Sequence, residues 1–436
     1  MEKIQIRELM DFLDKSLTCY HAVREVEKEL TKAGFTKLCE ENVWALENGG
    51  SYYVKRNDSS VIAFRVPSCG VEDILGFHMF AAHSDSPALK LKECPEMTKE
   101  GVYVSLNAEK YGGMILSTWL DRPLTIAGRV CVEENGEIVS YLVTLKENTC
   151  VIPSLAIHMN RDVNKGVELN PQTDMLPLLM MKSEEEEMTS CIKDMIAESL
   201  NKEYQRAFGA ADILSFDLFA ENAQKAVLAG ANDTFIMSAR YDDLSCVFAG
   251  MKAMLEAKSD QYINVLAMFD NEEVGSLTRQ GADSDFLRET LESIGDGLGI
   301  TPKRCRMWKA KSFLLSADNA HACHPNQGAK ADPVNRPYLN GGIVLKYHGG
   351  QKYATDAYSA AVVKMLCKEQ NIPCQIYTNR SDLVGGSTLG NLLMAQVSVP
   401  AADVGLPQLA MHSAYETGGT KDIESMIKLA KAFYSM

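Results

Sequence analysis

The sequence lacks the marks of a secreted or membrane-spanning protein. Its 12 cysteines include no Cys-x-x-Cys pair and are scattered singly from Cys19 to Cys374. In a chain of 436 residues this distribution predicts reduced, mostly buried thiols in a cytosolic protein and no cysteine metal site. The N-terminal segment is charged and has no apolar signal core, and no apolar run reaches the roughly 18 residues that predict a membrane span.

Basic charge is also scarce. The chain has 44 Lys and Arg against 58 Asp and Glu, which gives a formal net charge of −14. Because nucleic acids and anionic membrane surfaces are bound through basic side chains, we expect neither as a partner. The global charge does not fix the charge of a pocket, so composition leaves the substrate open.

The length and the order of the predicted elements indicate two domains. Two helices open the chain, and strands follow at 51–56, 60–66 and 74–82. The stretch after about residue 93 is β-rich and contains a hairpin at 130–145 around Asn135-Gly136, a favoured two-residue turn. The acidic run at 183–187 is typical of a solvated loop or helix start.

From about residue 233 strands and helices alternate, as in α/β proteins whose sheet is covered by helices on both faces. The predicted strands are 234–239, 262–269, 312–317, 341–347, 374–378 and 398–404, and the predicted helices are 244–257, 285–294, 355–370, 388–396 and 422–433. We therefore predict an α/β fold with a central mixed sheet flanked by helices. Residues 1–92 and 233–436 form this domain, and a β-rich domain at 93–232 is inserted between its halves.

Polar side chains follow the ends of five predicted strands. They are His83 after 74–82, Asp242 after 234–239, Glu272 and Glu273 after 262–269, Asp318 after 312–317, and His412 beyond 398–404. In open α/β sheets ligands bind beyond the carboxyl ends of the strands, so we predict that these five strand ends lie at one edge of one sheet.

Imidazole and carboxylate groups are the ligands of hydrolytic zinc pairs. Two ions about 3.5–4 Å apart can share a bridging carboxylate and a water, and a second carboxylate beside a ligand can serve as the base. Adjacent Glu272 and Glu273 fit this pair of roles if they lie in a turn. Taken singly, each residue has a simpler explanation: a Glu-Glu pair is usually a solvated surface, and Asp242 or Asp318 could cap a helix. The coincidence at five strand ends favours the metal site.

Four segments closely resemble the aspartyl aminopeptidase family, which belongs to the two-zinc exopeptidases. They are AHSDSP at 82–87, DNEEVGS at 270–276, SADNAHACHPN at 316–326 and PQLAMHS at 407–413. The similarity spans nearly the whole chain and includes LAIH at 155–158 in the inserted domain. The resemblance implies the two-zinc exopeptidase fold, with the inserted domain making dimer contacts.

The resemblance also implies a role for each matching residue. One zinc ion would be bound by His83 and Asp318 and the other by Glu273 and His412, with Asp242 bridging the two. Glu272 would be the general base, and Asp85 would orient His83. The substrate site would contain His321, Lys346 and His158, the last reaching the active site of a neighbouring subunit. The family forms tetrahedral dodecamers built from dimers.

These observations predict an aminopeptidase that removes the N-terminal residue of peptides and prefers Asp or Glu, with Lys346 as the cation that recognises them. Zinc is the expected metal, two ions per subunit, although cobalt or manganese can occupy one position. Three alternatives stay open: an aminopeptidase that prefers neutral residues such as Leu, a deacylase of N-acyl amino acids, and an assembly that serves as a scaffold or cargo.

Overall fold

The chain folds into two compact units. A computed structural model describes residues 2–182, 191–258 and 260–436, so the acidic run predicted at 183–187 lies outside the described residues. The first unit comprises Met1–Asp85, Ala226–Met411 and Glu416–Met436, and the second comprises Ser86–Lys225 with His412–Tyr415. The sequence places both main boundaries seven residues later, at 93 rather than 86 and at 233 rather than 226.

The helices and strands of the described ranges follow in chain order. The α-helices are α1 Glu2–Lys15, α2 Cys19–Lys32, α3 Cys191–Tyr204, α4 Tyr241–Glu256, α5 Phe286–Gly297, α6 Pro302–Lys311, α7 Ala357–Glu369, α8 Leu389–Val397 and α9 Asp422–Tyr434. The strands of the N-terminal half are β1 Thr36–Leu38, β2 Ser51–Arg56, β3 Ser60–Arg65, β4 Gly76–His83, β5 Ala88–Lys99, β6 Tyr103–Tyr111, β7 Pro123–Glu134, β8 Glu137–Thr144, β9 Cys150–Val151, β10 Leu178–Met181 and β11 Ile213–Asn222. Those of the C-terminal half are β12 Val227–Ala229, β13 Phe235–Ser238, β14 Tyr262–Phe269, β15 Phe313–Ala317, β16 Ala320–His321, β17 Ile343–Tyr347, β18 Cys374–Thr378, β19 Ala401–Gly405, β20 Pro407–Leu409 and β21 Glu416–Gly419.

The first unit is built on a nine-stranded mixed sheet in the order β1-β2-β3-β14-β4-β15-β19-β17-β18. Its central strands β14, β4, β15 and β19 are parallel. All eight residues of β4 are buried, as expected of a parallel strand covered on both faces. Successive residues of β4 alternate between two apolar cores, with Phe80 in the core that includes α1, α2, α4 and α9, and Met79 in the core that includes α5 and α8. The predicted α/β fold with a helix-flanked mixed sheet is confirmed.

One part of the strand-end prediction is wrong. Strand β13, which precedes Asp242, is not in the nine-stranded sheet but in a separate five-stranded sheet of the same unit, in the order β12-β13-β21-β20-β16. The burial of its four residues alternates, and it pairs antiparallel with both neighbours. An apolar run predicts a strand but not its partners, so the sequence could not separate β13 from the central strands.

The second unit contains a seven-stranded sheet in the order β11-β5-β6-β10-β9-β7-β8, with a further pairing between β11 and β7 that closes it on itself. The predicted hairpin is present: β7 pairs antiparallel with β8, from Ala127 opposite Thr144 to Glu134 opposite Glu137. Asn135 adopts a left-handed conformation, with φ 57°, in the turn between them. None of the helices in the described ranges combines the length and apolar character needed to cross a membrane.

Candidate metal centre

Strand register brings three of the predicted ligand segments together. In the β4–β14 pairing His83 lies opposite Phe269, so the residues that follow both strands emerge side by side. In the β4–β15 pairing Ala81 lies opposite Ser316, which places Asp318 beyond the same edge. The Ser84 N–H donates to the Phe269 carbonyl at 2.7 Å and ties the two strand exits together.

Five predicted residues contribute to two overlapping groups of potential metal ligands in the first unit. One group contains His83, Asp242 and Asp318, and the other contains His83, Glu272 and Glu273. Within each group the ligand atoms all lie within 4.8 Å of one another. The first group is the set that the resemblance assigns to one zinc ion with its bridging carboxylate.

Asp242 reaches this cluster from the five-stranded sheet. Arg240 has a left-handed conformation, with φ 57°, and turns the chain sharply after β13. The next residues enter α4 with non-helical angles at Asp242 and Asp243. As a result Asp242 Oδ1 lies 3.7 Å from His83 Nε2.

Asp85 holds the turn that carries the two glutamates. Its Oδ1 accepts the backbone N–H of Glu272 and its Oδ2 accepts that of Glu273, each at 3.1 Å. Asn271, with φ 64°, and Gly275, with φ 99°, allow the chain to form this tight turn. Asp85 also contacts His83: the ring Nδ1 donates to the Asp85 backbone carbonyl at 3.0 Å and lies 3.4 Å from its Oδ1.

The cluster is strongly anionic: His83, Asp242 and Asp318 are buried, and Glu272 and Glu273 are half-buried. Burial raises the pKa of Glu272 well above its usual value; His83 opposes the rise, and Asp318 and Glu273 add to it. Burial alone would lower the pKa of His83, but Asp85, Asp243 and Glu272 raise it well above its usual value. A divalent cation would offset these crowded carboxylates and displace the histidine proton, and the imidazole and carboxylate donors are those that zinc takes. The residues therefore fit a zinc site.

Two predicted site residues belong to the second unit. His412, in the segment His412–Tyr415, is partly buried, and its Nδ1 donates to the Gly113 carbonyl at 2.7 Å. His158 is exposed in a turn between β9 and β10. Their roles at the metals and the substrate stay predictions.

The two remaining predicted residues differ in exposure. His321 is exposed and lines a cavity of about 360 Å³ together with Lys330, Tyr377 and Arg380. Lys346 is only 2% exposed, and its Nζ donates to the carbonyls of Asp318 and Asn319 at 2.7 and 3.0 Å. It thus lies beneath the segment that carries Asp318.

Three buried polar residues that the sequence does not single out also reach this centre. They are Asn319, Gln408 and Glu416, each no more than 3% exposed. Asn319 directly follows the predicted Asp318, and Gln408 lies four residues before His412, both within the segments that resemble the family. Their closeness to predicted ligands in the sequence is the signal that could have identified them. Glu416 lies beyond the last of those segments and carries no sequence signal of its own.

Comparison with known proteins identifies the family of the chain. The family model for aminopeptidase I zinc metalloproteases, M18, matches residues 12–434. The chain is 43% identical over 432 residues to a probable M18 family aminopeptidase 2 of Clostridium acetobutylicum, covering 99% of this chain and 98% of that protein. It is 39% identical to a protein of the same description from Ectopseudomonas mendocina, covering 100% of this chain and 99% of the other.

Solved structures give the same result. A cryo-EM structure of a complex of Ape4 and Nbr1 contains a chain with a TM-score of 0.96 and 34% identity, covering 99% of this chain and 86% of that one. The mApe1 dodecamer of S. cerevisiae matches with a TM-score of 0.84 and 28% identity, covering 99% and 96% of the two chains. The protein described here belongs to the M18 family of zinc metalloaminopeptidases.

Proposed function

We propose that this chain removes acidic N-terminal residues from peptides with a site that holds two zinc ions. The observation that carries the proposal is the cluster of His83, Asp242 and Asp318, whose ligand atoms lie within 4.8 Å of one another, with Glu272 and Glu273 within the same distance of His83. A single structural ion would be enclosed by its ligands, whereas a catalytic site needs a carboxylate that can serve as a base. Glu272 beside Glu273 supplies that carboxylate.

In this proposal His83 and Asp318 would hold one ion, Glu273 and His412 would hold the other, and Asp242 would contribute a carboxylate to both. Because the His412 Nδ1 proton is donated to the Gly113 carbonyl, the lone pair of the neutral ring resides on Nε2, the nitrogen that would face a metal. Zinc at these positions would polarise the scissile carbonyl and make a bound water more acidic, and cobalt or manganese could replace one ion.

Glu272 moves the proton. As a carboxylate beside the proposed ligand Glu273, it would accept a proton from water and pass it to the leaving amine. Asp85 keeps the carboxylate in place through the backbone of the turn.

The acidic preference would arise from positive charge near the substrate side chain. Lys346 is charged, because Asp318 and Asp403 raise its pKa above its usual value although burial opposes them. Its Nζ faces backbone carbonyls, so it acts on a substrate through its field and not through an exposed ammonium group. The cavity beside His321 adds the exposed Lys330.

Assembly would complete the site. Side chains near His158 are apolar and exposed: Leu155 by 55%, Ile157 by 52% and Met159 by 74%. Exposed apolar clusters of this kind mark surfaces that another protein covers. This supports a homo-oligomer in which the second unit makes dimer contacts and His158 enters a neighbouring subunit. The dimers would assemble further into a dodecamer like that of S. cerevisiae mApe1.

A substrate panel tests the proposal. The metal-loaded wild type is assayed for release of free amino acid from peptides that begin with Asp, Glu, Ala or Leu, and for hydrolysis of N-acetyl-Asp. We expect the highest kcat/KM for Asp and Glu and no turnover of the N-acetyl compound, whose amine is blocked. Faster release of Leu would replace the acidic preference with a neutral one. Hydrolysis of N-acetyl-Asp alone would identify a deacylase, and assembly without hydrolysis of any substrate would favour a scaffold.

A further inference from the structure

The peptide group between Tyr241 and Asp242 is held on both of its sides by buried side chains. The Tyr241 carbonyl accepts a hydrogen bond from Asn319 Nδ2 at 3.0 Å. The Asp242 N–H donates to Glu416 Oε2 at 2.9 Å. Asp242 has non-helical backbone angles, and the two side chains hold its peptide group at the carbonyl on one side and at the N–H on the other.

Gln408 links the two side chains. Its Nε2 donates to Glu416 Oε1 at 3.3 Å, and its Oε1 accepts from Asn319 Nδ2 at 2.9 Å. The orientation of Gln408 follows from Asn319: the Tyr241 carbonyl can only accept, so Asn319 Nδ2 is the donor that Gln408 Oε1 meets, and the Gln408 amide nitrogen therefore faces Glu416. We call Asn319, Gln408 and Glu416 the amide clamp.

The amide clamp joins two of the proposed metal ligands through short covalent paths. Asn319 follows Asp318 directly, and the clamped peptide group ends at the Cα of Asp242. The members are 3%, 1% and 2% exposed, so water does not compete for their hydrogen bonds. A rotation of the clamped peptide group would swing the Asp242 carboxylate away from His83 Nε2, which lies 3.7 Å from its Oδ1.

From this geometry we infer that Glu416 and Gln408 are positioning residues that fix Asp242 as the bridging carboxylate and so determine metal affinity. The inference rests on the two-metal proposal. Partners of this kind that hold a ligand in place are worth about 10- to 100-fold in metal affinity. Neither side chain is assigned to a metal or to the substrate; both act through the backbone of Asp242.

An exchange of the two side chains isolates the clamp. In Glu416→Gln the amide oxygen can still accept the Asp242 N–H, but the amide nitrogen then meets the Gln408 nitrogen, and two donors face each other. In the double variant Glu416→Gln/Gln408→Glu each hydrogen bond again joins a donor to an acceptor. Glu424→Gln is the matched control, since that carboxylate lies on α9 and pairs with Lys428 at 2.7 Å.

The measurement is zinc affinity of the metal-free full chain by competition with a chromophoric chelator, together with the visible absorption of the cobalt-loaded protein. We expect Glu416→Gln to bind zinc about 10- to 100-fold more weakly with an altered cobalt spectrum. The double variant and Glu424→Gln should match the wild type, and the thermal midpoint of each metal-free variant shows that it is folded.

Wild-type affinity in Glu416→Gln would overturn the inference, and so would a double variant that binds no better than Glu416→Gln. If the wild type binds two zinc ions and the variants bind them equally well, only the clamp fails. If the wild type binds no zinc, the two-metal proposal itself fails.

Discussion

Asp85→Asn is the substitution that most directly tests how the glutamate turn is held. The Asp85 carboxylate uses both oxygens, one for the N–H of Glu272 and one for that of Glu273, each at 3.1 Å. Asparagine has nearly the same shape but a single acceptor oxygen. The variant loses one of the two hydrogen bonds and points its NH₂ group at the other N–H.

The size of the effect follows from these contacts. A hydrogen bond to a charged group contributes about 1.5–3 kcal/mol. Its loss would destabilise by that amount the conformation of the turn that positions the base. Each 1.36 kcal/mol corresponds to about tenfold in rate, so kcat/KM should fall about 10- to 150-fold. The loss should appear in kcat, because Asp85 does not line the cavity beside His321 that we propose for the substrate.

The assay compares kcat, KM and bound zinc for the wild type, Asp85→Asn and a control, Asp283→Asn. Asp283 lies in the same loop after β14, but its carboxylate accepts from Gln396 at 2.9 Å and does not touch the glutamates. We expect wild-type kinetics from the control. If Asp85→Asn retains the wild-type kcat with its metals bound, the backbone contacts of Asp85 do not position Glu272.

Further predictions concern the base, the metals and acid stability. Glu272→Gln should abolish peptide hydrolysis and leave oligomer size and zinc content unchanged; hydrolysis at the wild-type rate would exclude Glu272 as the base. A chelator should remove activity and zinc together, and added zinc should restore both; activity retained at less than one ion per chain would exclude two metals. Burial, assisted by Arg24 and Arg240, lowers the pKa of His21 to about 3. Between about pH 6.5 and pH 3 the unfolded chain therefore binds a proton at His21 that the folded chain does not bind. This one group lowers the free energy of unfolding by about 1.4 kcal/mol for each unit by which the pH falls in that range. His21→Gln should remove this contribution from the pH dependence of the free energy of unfolding, measured by urea unfolding at each pH. An equal pH dependence in wild type and variant would contradict the prediction.

Much of the first unit could be predicted from sequence because its central strands are continuous apolar runs. Strand β14 has the predicted bounds Tyr262–Phe269, and β18 has the predicted bounds Cys374–Thr378. Helix α6, Pro302–Lys311, was not predicted, since Cys305 and Trp308 are its only buried residues and give too little periodicity. Its start did carry a signal: Thr301 caps it by accepting the Arg304 N–H, with Pro302 in the first turn.

The candidate site shows the same limit. His83, Glu273 and Asp318 follow continuous, fully buried apolar strands, which is the pattern of parallel strands in one central sheet, so their meeting could be predicted. The sequence places Asp242 at the edge of the wrong sheet, because β13 is an apolar run like the central strands and nothing in that run specifies its antiparallel partners β12 and β21. The backbone contacts of Asp85 and Glu416 were beyond sequence reasoning, because a carboxylate that accepts a main-chain N–H leaves no pattern in side-chain types.

The pairing of β4 with β14 and β15 has a consequence for the newly made protein. His83 is synthesised about 190 residues before Glu273, and the segment Ser86–Lys225 of the second unit is translated between them. During that interval the central sheet lacks both neighbours of β4, so no ligand group can form. Metal loading must therefore follow synthesis of both halves of the first unit, and an unfinished chain on the ribosome cannot act as a peptidase.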